Sequence, residues 1–263
     1  MRLMNPLRFS HAFVREISRS LARCELEHLP RQAIDLDRAR RQHAAYAKAL
    51  ESAGVRVSVL PEAPDLPDSC FVEDPVLVLD EMAVICRPAR ANRAPEAELM
   101  AREVSRFRPV FAIVAPGTLE GGDVLRVDRT MFVGRSSRTN QEGITQLEKI
   151  VARIGYRVTP ITVRKCLHLK SGVTSPAAGL LLANPEWIDL SPFHGFEVLA
   201  VPAAEPWGAN TLPVNGRVLV VNSAPQTADR LRAKGLEVQR VDVSELQKAE
   251  AGLTCLSVLY HGG

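Results

Sequence analysis

The chain has 263 residues, 46% of them hydrophobic and 24% charged, so it can bury the core of one large domain or of two small ones. Its 33 basic and 30 acidic residues leave a net charge of +3, which is too balanced for a dedicated nucleic-acid-binding protein. No run approaches the ~18 consecutive apolar residues of a membrane span, and the five cysteines include no CxxC pair. We therefore expect a cytoplasmic enzyme with neither a nucleic-acid nor a membrane partner.

In chain order, the first predicted elements are a strand at 11–15 and an amphipathic helix at 36–52. A repeated unit then follows, in which a strand, a polar loop and a second strand recur five times. The first strands of the units are predicted at 55–61, 110–116, 157–163, 196–202 and 236–241. The second strands are predicted at 75–79, 124–127, 172–175, 211–214 and 256–259.

Four of the units continue with a third strand after a tight turn, and then with a helix. These third strands are predicted at 82–86, 131–134, 179–183 and 218–221. The helices are predicted at 95–107, 139–154, 185–193 and 224–234, and the third of these is the weakest pattern. In 139–154 the apolar stripe has helical spacing and consists of Ile144, Leu147, Ile150, Val151 and Ile154.

The fifth unit lacks its third strand and its helix, and the N-terminal strand and helix would supply both. A radial repeat closed in this way hides the edges of its sheets. Because no linker or change in composition divides the chain, we interpret residues 1–263 as one α/β domain with five-fold pseudo-symmetry. The alternative is an ordinary α/β sheet whose regularity is accidental.

The loop before each second strand carries the unusual polar residues. These loops are 68–74, 119–123, 167–171, 207–210 and 253–257. If a rotation relates the units, the loops meet near one axis, and His168 and Cys255 share a pocket with several carboxylates. Taken singly, each residue has a plainer explanation, since a free cysteine is often buried and a histidine between leucines is often a core residue.

Several motifs in these loops, in the same order along the chain, resemble the dimethylarginine dimethylaminohydrolases of the pentein, or guanidino-modifying, superfamily. The motifs are 66–74, 119–124, 133–140, 167–171 and 253–258, with weaker matches at 10–15 and 40–43. The resemblance covers nearly the whole chain. It implies a five-bladed αβ-propeller and the hydrolysis of Nω-methylated arginine to citrulline and a methylamine.

The resemblance also implies a role for individual residues. Cys255 corresponds to the nucleophile, His168 to the general acid and base, and Glu120 to the carboxylate that holds His168 and the guanidinium. The implied substrate-binding residues are Leu26, Asp68, Phe71, Glu73, Asp74, Arg93, Arg138 and Ala249. Asp68, Glu73 and Asp74 belong to the guanidinium end, whereas Arg93 and Arg138 belong to the α-carboxylate end. No metal or organic cofactor is implied, the partner is a small guanidino compound, and a homodimer is left open.

Two stretches depart from the family pattern, and both belong to the amino-acid end of the substrate. Asn92-Arg93-Ala94 stands where the family often has Ser-Arg-Arg. The residues before Cys255, 248–252, replace a Val/Ile-Asp-Gly pattern that touches the α-amino group in the family. The reaction type is therefore better determined than the substrate.

Three other functions stay open. The nearest is an arginine deiminase-like or other guanidine or ureido hydrolase on the same fold. A catalytically silent propeller that serves binding or assembly is the second, but a silent fold has no need to keep Cys255, His168 and Glu120 together. A metal-dependent hydrolase is the weakest, because the Cys166 and His168 spacing has no second ligand pair.

Overall fold

The computed structural model describes residues 8–262, and within them the strands form five sheets of three strands each. The strands are β1 (His11–Arg15), β2 (Arg56–Leu60), β3 (Val76–Val78), β4 (Ala83–Ile85), β5 (Val110–Ala112), β6 (Val124–Val127), β7 (Thr130–Arg135), β8 (Arg157–Thr162), β9 (Val173–Ala177), β10 (Leu180–Ala183), β11 (Glu197–Ala200), β12 (Leu212–Val214), β13 (Arg217–Val221), β14 (Glu237–Val241) and β15 (Val258–Tyr260). The α-helices are α1 (Leu36–Ser52), α2 (Ala94–Val104), α3 (Gln141–Val151), α4 (Leu169–Gly172), α5 (Pro225–Ala233) and α6 (Ser244–Gln247). The protein is therefore a mixed α/β fold, as the sequence predicts.

All five sheets share one pairing pattern. Their strand orders are β15-β1-β2, β3-β4-β5, β6-β7-β8, β9-β10-β11 and β12-β13-β14. The central strand pairs antiparallel with one neighbour and parallel with the other. In β7, for example, Val133 lies opposite Val124 of the antiparallel neighbour and opposite Pro160 of the parallel one. The proline is tolerated because its strand is at an edge of the sheet.

The parallel pairing corrects one detail of the predicted unit. The strand expected to begin each unit instead completes the sheet of the preceding unit. A parallel neighbour requires a crossover, and in four sheets a helix makes it: α1, α2, α3 or α5. The polar loops of the sequence pattern therefore lead directly into the antiparallel edge strands β3, β6, β9, β12 and β15.

The predicted third helix, 185–193, is wrong. This stretch forms turns and a single antiparallel bridge between Ile188 and Val163. Proline at both 185 and 192 disfavours a continuous helix. Trp187 and Phe193 are nevertheless buried, so the stretch covers its sheet through side chains rather than through a helical face.

Two of the longer helices, α1 and α3, begin at residues whose side chains cap the helix, and α3 is stopped by a glycine. Asp35 caps α1 by accepting a hydrogen bond from the Arg38 amide, and Asn140 caps α3 through the Gly143 amide. The predicted apolar stripe of α3 contributes buried side chains to the core. A short 3₁₀ turn follows, and the chain ends the helix at Gly155, whose φ of 79° favours glycine.

The N-terminal strand completes the last sheet, as predicted. β1 pairs with β15, so that His11 lies opposite Tyr260 near the other end of the chain. The aromatic rings of Phe13, Phe107 and Tyr260 stack beside this pair. Among residues 8–262, no helix is both long and apolar enough to cross a membrane.

Candidate active site

Cys255 lies in a 3₁₀ turn, Thr254–Leu256, that leads into β15. Asn210, from the fourth polar loop, accepts a hydrogen bond from the Thr254 amide at 3.2 Å and donates one to its hydroxyl at 3.1 Å. The hydroxyl of Tyr46 donates to the Leu253 carbonyl at 2.9 Å. The turn is thus fixed on both sides. The Cys255 thiol sulfur accepts a hydrogen bond from the Gly252 amide at 3.4 Å.

His168 and Glu120 form a buried pair from two different polar loops. The His168 Nε2 lies 2.7 Å from the Glu120 Oε2, and Glu120 is fully buried. The other Glu120 oxygen accepts the Ala89 amide at 3.2 Å. Asp123 accepts the Leu169 amide at 2.9 Å and so holds the backbone next to the histidine. These contacts fix the imidazole in one orientation.

The two glycines after Glu120 allow this close packing. A Cβ on Gly122 would lie 2.6 Å from the His168 Nδ1. A Cβ on Gly121 would lie 2.0 Å from the carbonyl oxygen of Glu73. Backbone and imidazole can therefore approach only because both side chains are absent.

Burial and neighbouring charges set the protonation of the three central groups. For His168 burial opposes protonation, but Asp74, Glu120 and Asp123 outweigh it and raise the pKa to about 9. Burial likewise opposes the Glu120 carboxylate, but the hydrogen bond from His168 outweighs it and lowers the pKa of Glu120 to about 2. For Cys255, burial and then Asp74 raise the pKa to about 12. At neutral pH the site therefore holds an imidazolium, a carboxylate and a neutral thiol.

The first polar loop supplies three acidic residues, which lie in different environments. Asp68 and Asp74 face the cavity beside Cys255, and both are buried. Asp74 accepts from Arg93 at 3.0 Å through one oxygen, and its other oxygen lies 3.9 Å from the His168 Nδ1. Burial raises the pKa of Asp68 to about 6. These two carboxylates are suited to clamp a planar cation in front of the thiol.

Glu73 points elsewhere. It pairs with Lys170 and accepts a hydrogen bond from the Thr254 hydroxyl at 2.7 Å. Glu73 and Lys170 line a second cavity, of about 200 Å³, that extends along the antiparallel edge strands. The pair thus lies behind the Cys255 turn.

Arg93 and Arg138 are both buried and both already paired. Arg93 donates to Glu96 through two nitrogens, at 3.1 and 2.8 Å, in addition to its contact with Asp74. The Arg138 Nε lies 3.2 Å from Glu27. Both arginines line the cavity beside Cys255.

Residues 25–29, which we call the covering segment, meet the cavity at Glu25 and are hydrogen-bonded to its walls. The amide of Glu25 donates to Asp68, and its side chain lines the cavity. The amides of Glu27, His28 and Leu29 all converge on one carboxylate oxygen of Glu250, the closest two at 2.5 and 2.6 Å. The covering segment is therefore held by residues of the cavity wall.

The cavity enclosed in this way is small, about 20 Å³. It is lined by Glu25, Asp68, Phe71, Asp74, Arg93, Arg138, Leu167, His168, Ala249, Glu250, Ala251 and Cys255. This volume accommodates about one water molecule. A ligand the size of an amino acid therefore requires the residues that enclose the cavity to move apart.

Most of the residues predicted from the sequence meet at this cavity, but three do not line it. Glu73 faces the second cavity, and Leu26 packs against the core, whereas its neighbour Glu25 faces the cavity. Glu120 lies behind His168, to which it is hydrogen-bonded. Sequence reasoning missed Glu25, Glu27 and Glu250; for Glu250 the signal was its place in the divergent stretch 248–252.

One group of side chains offers metal ligands. Asp74, Glu120 and His168 each present a ligand atom within 4.8 Å of the others. These atoms already bond one another or Arg93, and the Arg93 Nη1 lies 3.6 Å from Glu120. A guanidinium so close disfavours a divalent cation, so the donor set suits proton transfer better than metal binding.

Comparisons of the sequence with known proteins agree on one family. The family model described as N,N dimethylarginine dimethylhydrolase, eukaryotic, matches residues 28–173. The N(G),N(G)-dimethylarginine dimethylaminohydrolase of Pseudomonas aeruginosa is 36% identical over 255 residues, which cover 96% of this chain and 100% of that protein. The enzyme of the same name from Streptomyces coelicolor is 39% identical over 250 residues, which cover 94% of this chain and 95% of that one.

A solved structure extends the comparison to three dimensions. A cysteine-to-serine variant of the Pseudomonas aeruginosa enzyme, complexed with citrulline, has a TM-score of 0.90 and 35% identity. It is matched over its whole length by 97% of this chain. A histidine-to-glycine variant of a dimethylarginine dimethylaminohydrolase, an adduct with S-methyl-L-thiocitrulline, has a TM-score of 0.91 and 36% identity, over 96% of this chain and 100% of that one.

Proposed function

The chain belongs to the dimethylarginine dimethylaminohydrolase family, and from that premise we propose that it hydrolyses Nω-methylated arginines to citrulline and a methylamine. The observation that carries the proposal is the single buried cavity that Cys255 and His168 share with Asp68 and Asp74. A thiol, a protonated imidazole and two carboxylates are the groups that hydrolysis of a guanidinium requires. The citrulline complex of the Pseudomonas aeruginosa relative supports the same reaction.

The first step is attack of the Cys255 thiolate on the guanidinium carbon. That carbon is a poor electrophile because resonance delocalises its charge. Asp68 and Asp74 hold the cation in one plane, and the sulfur attacks perpendicular to it. The positive charge of the bound substrate favours the thiolate over the neutral thiol, which opposes the effect of burial on Cys255. The thiol proton then passes to solvent, because His168 is already protonated.

The proton transfers fall to His168. Attack forms a C–S bond, and the tetrahedral intermediate then breaks its C–N bond to expel the methylamine, which takes a proton from the imidazolium. Water next adds to the S-alkylthiouronium and gives a proton to the now neutral imidazole. Collapse breaks the C–S bond and returns the thiolate, and the remaining hydroxyl proton passes to solvent, which leaves citrulline. None of these steps requires a metal ion or an organic cofactor.

The amino-acid end of the substrate belongs to Arg93 and Arg138 in this proposal. A guanidinium fork matches a carboxylate with two charge-assisted hydrogen bonds. Ala249 and Glu250 line the same cavity, and in this proposal they meet the α-amino group.

A citrulline assay with dimethylarginine, monomethylarginine and arginine side by side tests the function. We expect turnover of both methylated substrates and none by the Cys255→Ser variant. Preferential turnover of arginine would instead identify a deiminase. No citrulline from any of the three would overturn the proposal.

We also infer that the five sheets are the blades of one αβ-propeller. The support comes from the second cavity, which is lined by residues of all five antiparallel edge strands, as a central axis would be. One such domain should unfold in a single step. Urea denaturation followed by tryptophan fluorescence and by circular dichroism should then give coincident curves, whereas two separated transitions would divide the chain.

A further inference from the structure

Glu27 of the covering segment lies where the recognition of a substrate carboxylate is expected. Its carboxylate accepts from the Arg138 Nε at 3.2 Å and lies 3.7 Å from the Arg90 Nη2. Arg138 is 1% exposed, whereas the Glu27 side chain is 24% exposed. The buried partner is thus fixed, and the partner on the covering segment is at the surface.

Backbone hydrogen bonds of the covering segment hold Glu27 next to Arg138. The amides of residues 27–29 all donate to Glu250, so the covering segment cannot shift by one residue without losing these bonds. Burial opposes the charge of Glu27, but hydrogen bonds from Ser137 and Arg138 outweigh it and lower its pKa. Glu27 is therefore an anion at neutral pH.

Arg138 still has an unused donor. Within residues 8–262 its Nη1 is buried without a hydrogen-bond partner, although the nearest oxygen of Glu120 is 3.7 Å away. An anion that entered the cavity would satisfy this donor. It would also bring a third negative charge to a guanidinium that already has Glu27 on one side and Glu120 on the other, and like charges at this range repel.

Resting on the proposed function, we propose that Glu27 is a specificity-determining residue whose carboxylate competes with the substrate's α-carboxylate for Arg138. The competition lowers the affinity for carboxylate-bearing substrates. When the substrate has no carboxylate, Glu27 stays paired with Arg138 and neutralises its charge. The enzyme consequently discriminates weakly between a methylated arginine and its decarboxylated analogue.

Steady-state kinetics on two matched substrates test this inference. Dimethylarginine and Nω,Nω-dimethylagmatine differ only in the carboxylate. Glu27→Gln keeps the size of the side chain and removes its charge, and we expect it to lower KM for dimethylarginine by about tenfold, equivalent to about 1.4 kcal/mol. KM for the agmatine derivative and kcat for both should change less than twofold.

Two further variants separate this effect from others. Glu103→Gln breaks an ion pair between Glu103 on α2 and Arg106, just beyond the helix, and should leave KM and kcat for both substrates unaffected. Glu250→Gln weakens the hold on the covering segment and should alter KM for both substrates together. A KM for dimethylarginine that rises in Glu27→Gln, or that falls equally for both substrates, would overturn the inference.

A binding measurement keeps the inference testable even if turnover is absent. In the Cys255→Ser background, calorimetry should show that Glu27→Gln binds L-arginine about tenfold more tightly and agmatine with unchanged affinity. Absence of turnover in the parent enzyme contradicts the proposed function alone. Unchanged or absent arginine binding in the calorimeter contradicts the role of Glu27.

Discussion

At the scale of single residues, burial decides which groups around Cys255 are charged before a ligand arrives. The pKa of Cys255 is raised to about 12 by burial and then by Asp74, whereas that of His168 is raised to about 9, because Asp74 and Glu120 outweigh its burial. The resting site is therefore not a thiolate–imidazolium pair. In the proposed mechanism the thiol becomes nucleophilic when a cation occupies the clamp formed by Asp68 and Asp74.

Alkylation of the free enzyme should reveal this protonation state. The rate at which iodoacetamide labels Cys255 should rise about tenfold from pH 7 to pH 8, because the thiolate fraction grows tenfold per pH unit below the pKa. Mass spectrometry of the labelled peptide measures it, with Cys255→Ser as the background. A rate that is already constant between pH 7 and pH 8 would place the thiol pKa far lower.

The His168–Glu120 pair should make stability depend on pH in a defined direction. The folded pKa of His168 lies above its ordinary value of 6.5, so its contribution is complete below pH 6.5 and is lost as the pH rises through about 9. The free energy of unfolding of wild type minus that of His168→Asn, from urea denaturation, should shrink by on the order of 2–3 kcal/mol across this window. A difference that grows with pH would contradict the assignment.

At the scale of secondary-structure elements, helix α1 supports the turn that bears the nucleophile. Tyr46 is fully buried in α1, and besides its bond to Leu253 it lies 2.7 Å from the Ser257 hydroxyl. These two residues flank the turn of Cys255. Tyr46 is thus a positioning residue that acts through the backbone on either side of the thiol.

Tyr46→Phe should lower kcat by about tenfold with little change in KM, because a small displacement of the sulfur affects attack more than binding. The alkylation rate of Cys255 should change as well. Tyr156→Phe, a change of the same kind in a core residue near Arg129, is the matched control. A lower melting temperature with unchanged kcat and alkylation would mean that Tyr46 serves stability alone.

How well the sequence predicts the structure also differs from element to element. The apolar residues of the strands and of α3 mark the face that is buried, so both kinds of element were predictable from local patterns. The helix expected at 185–193 failed because a short apolar stretch between prolines can be buried without a helix. Cys255, His168 and Glu120 were placed together by the repeat and the family motifs. Glu27 and Glu250 were not, because their roles depend on a loop path that leaves no periodic signal.

At the scale of the whole molecule, Glu73 and Lys170 join the first and third polar loops beside the larger cavity. The side chains are 14% and 12% exposed, so each charge depends on the other. Thr254 links the pair to the Cys255 turn. The ion pair therefore ties three loops together.

Lys170→Met should destabilise the protein by about 3–5 kcal/mol, because it leaves a buried carboxylate without a counter-ion. The double variant Glu73→Leu/Lys170→Met should recover most of this loss, since two apolar side chains remove both charges. Urea denaturation of the single and double variants measures the coupling. Additive losses would show that the two side chains act independently.

The pairing of β1 with β15 has a consequence for synthesis on the ribosome. β1 is translated long before its antiparallel partner β15, because nearly all of the described chain lies between them. Until then β1 has only β2 beside it, and the turn that carries Cys255, immediately before β15, has no sheet to join. Contacts between such distant parts of a chain form slowly, because a long loop must close first. The nascent chain therefore carries His168 and its carboxylates long before it carries Cys255, and the proposed activity requires that β15 dock beside β1 first.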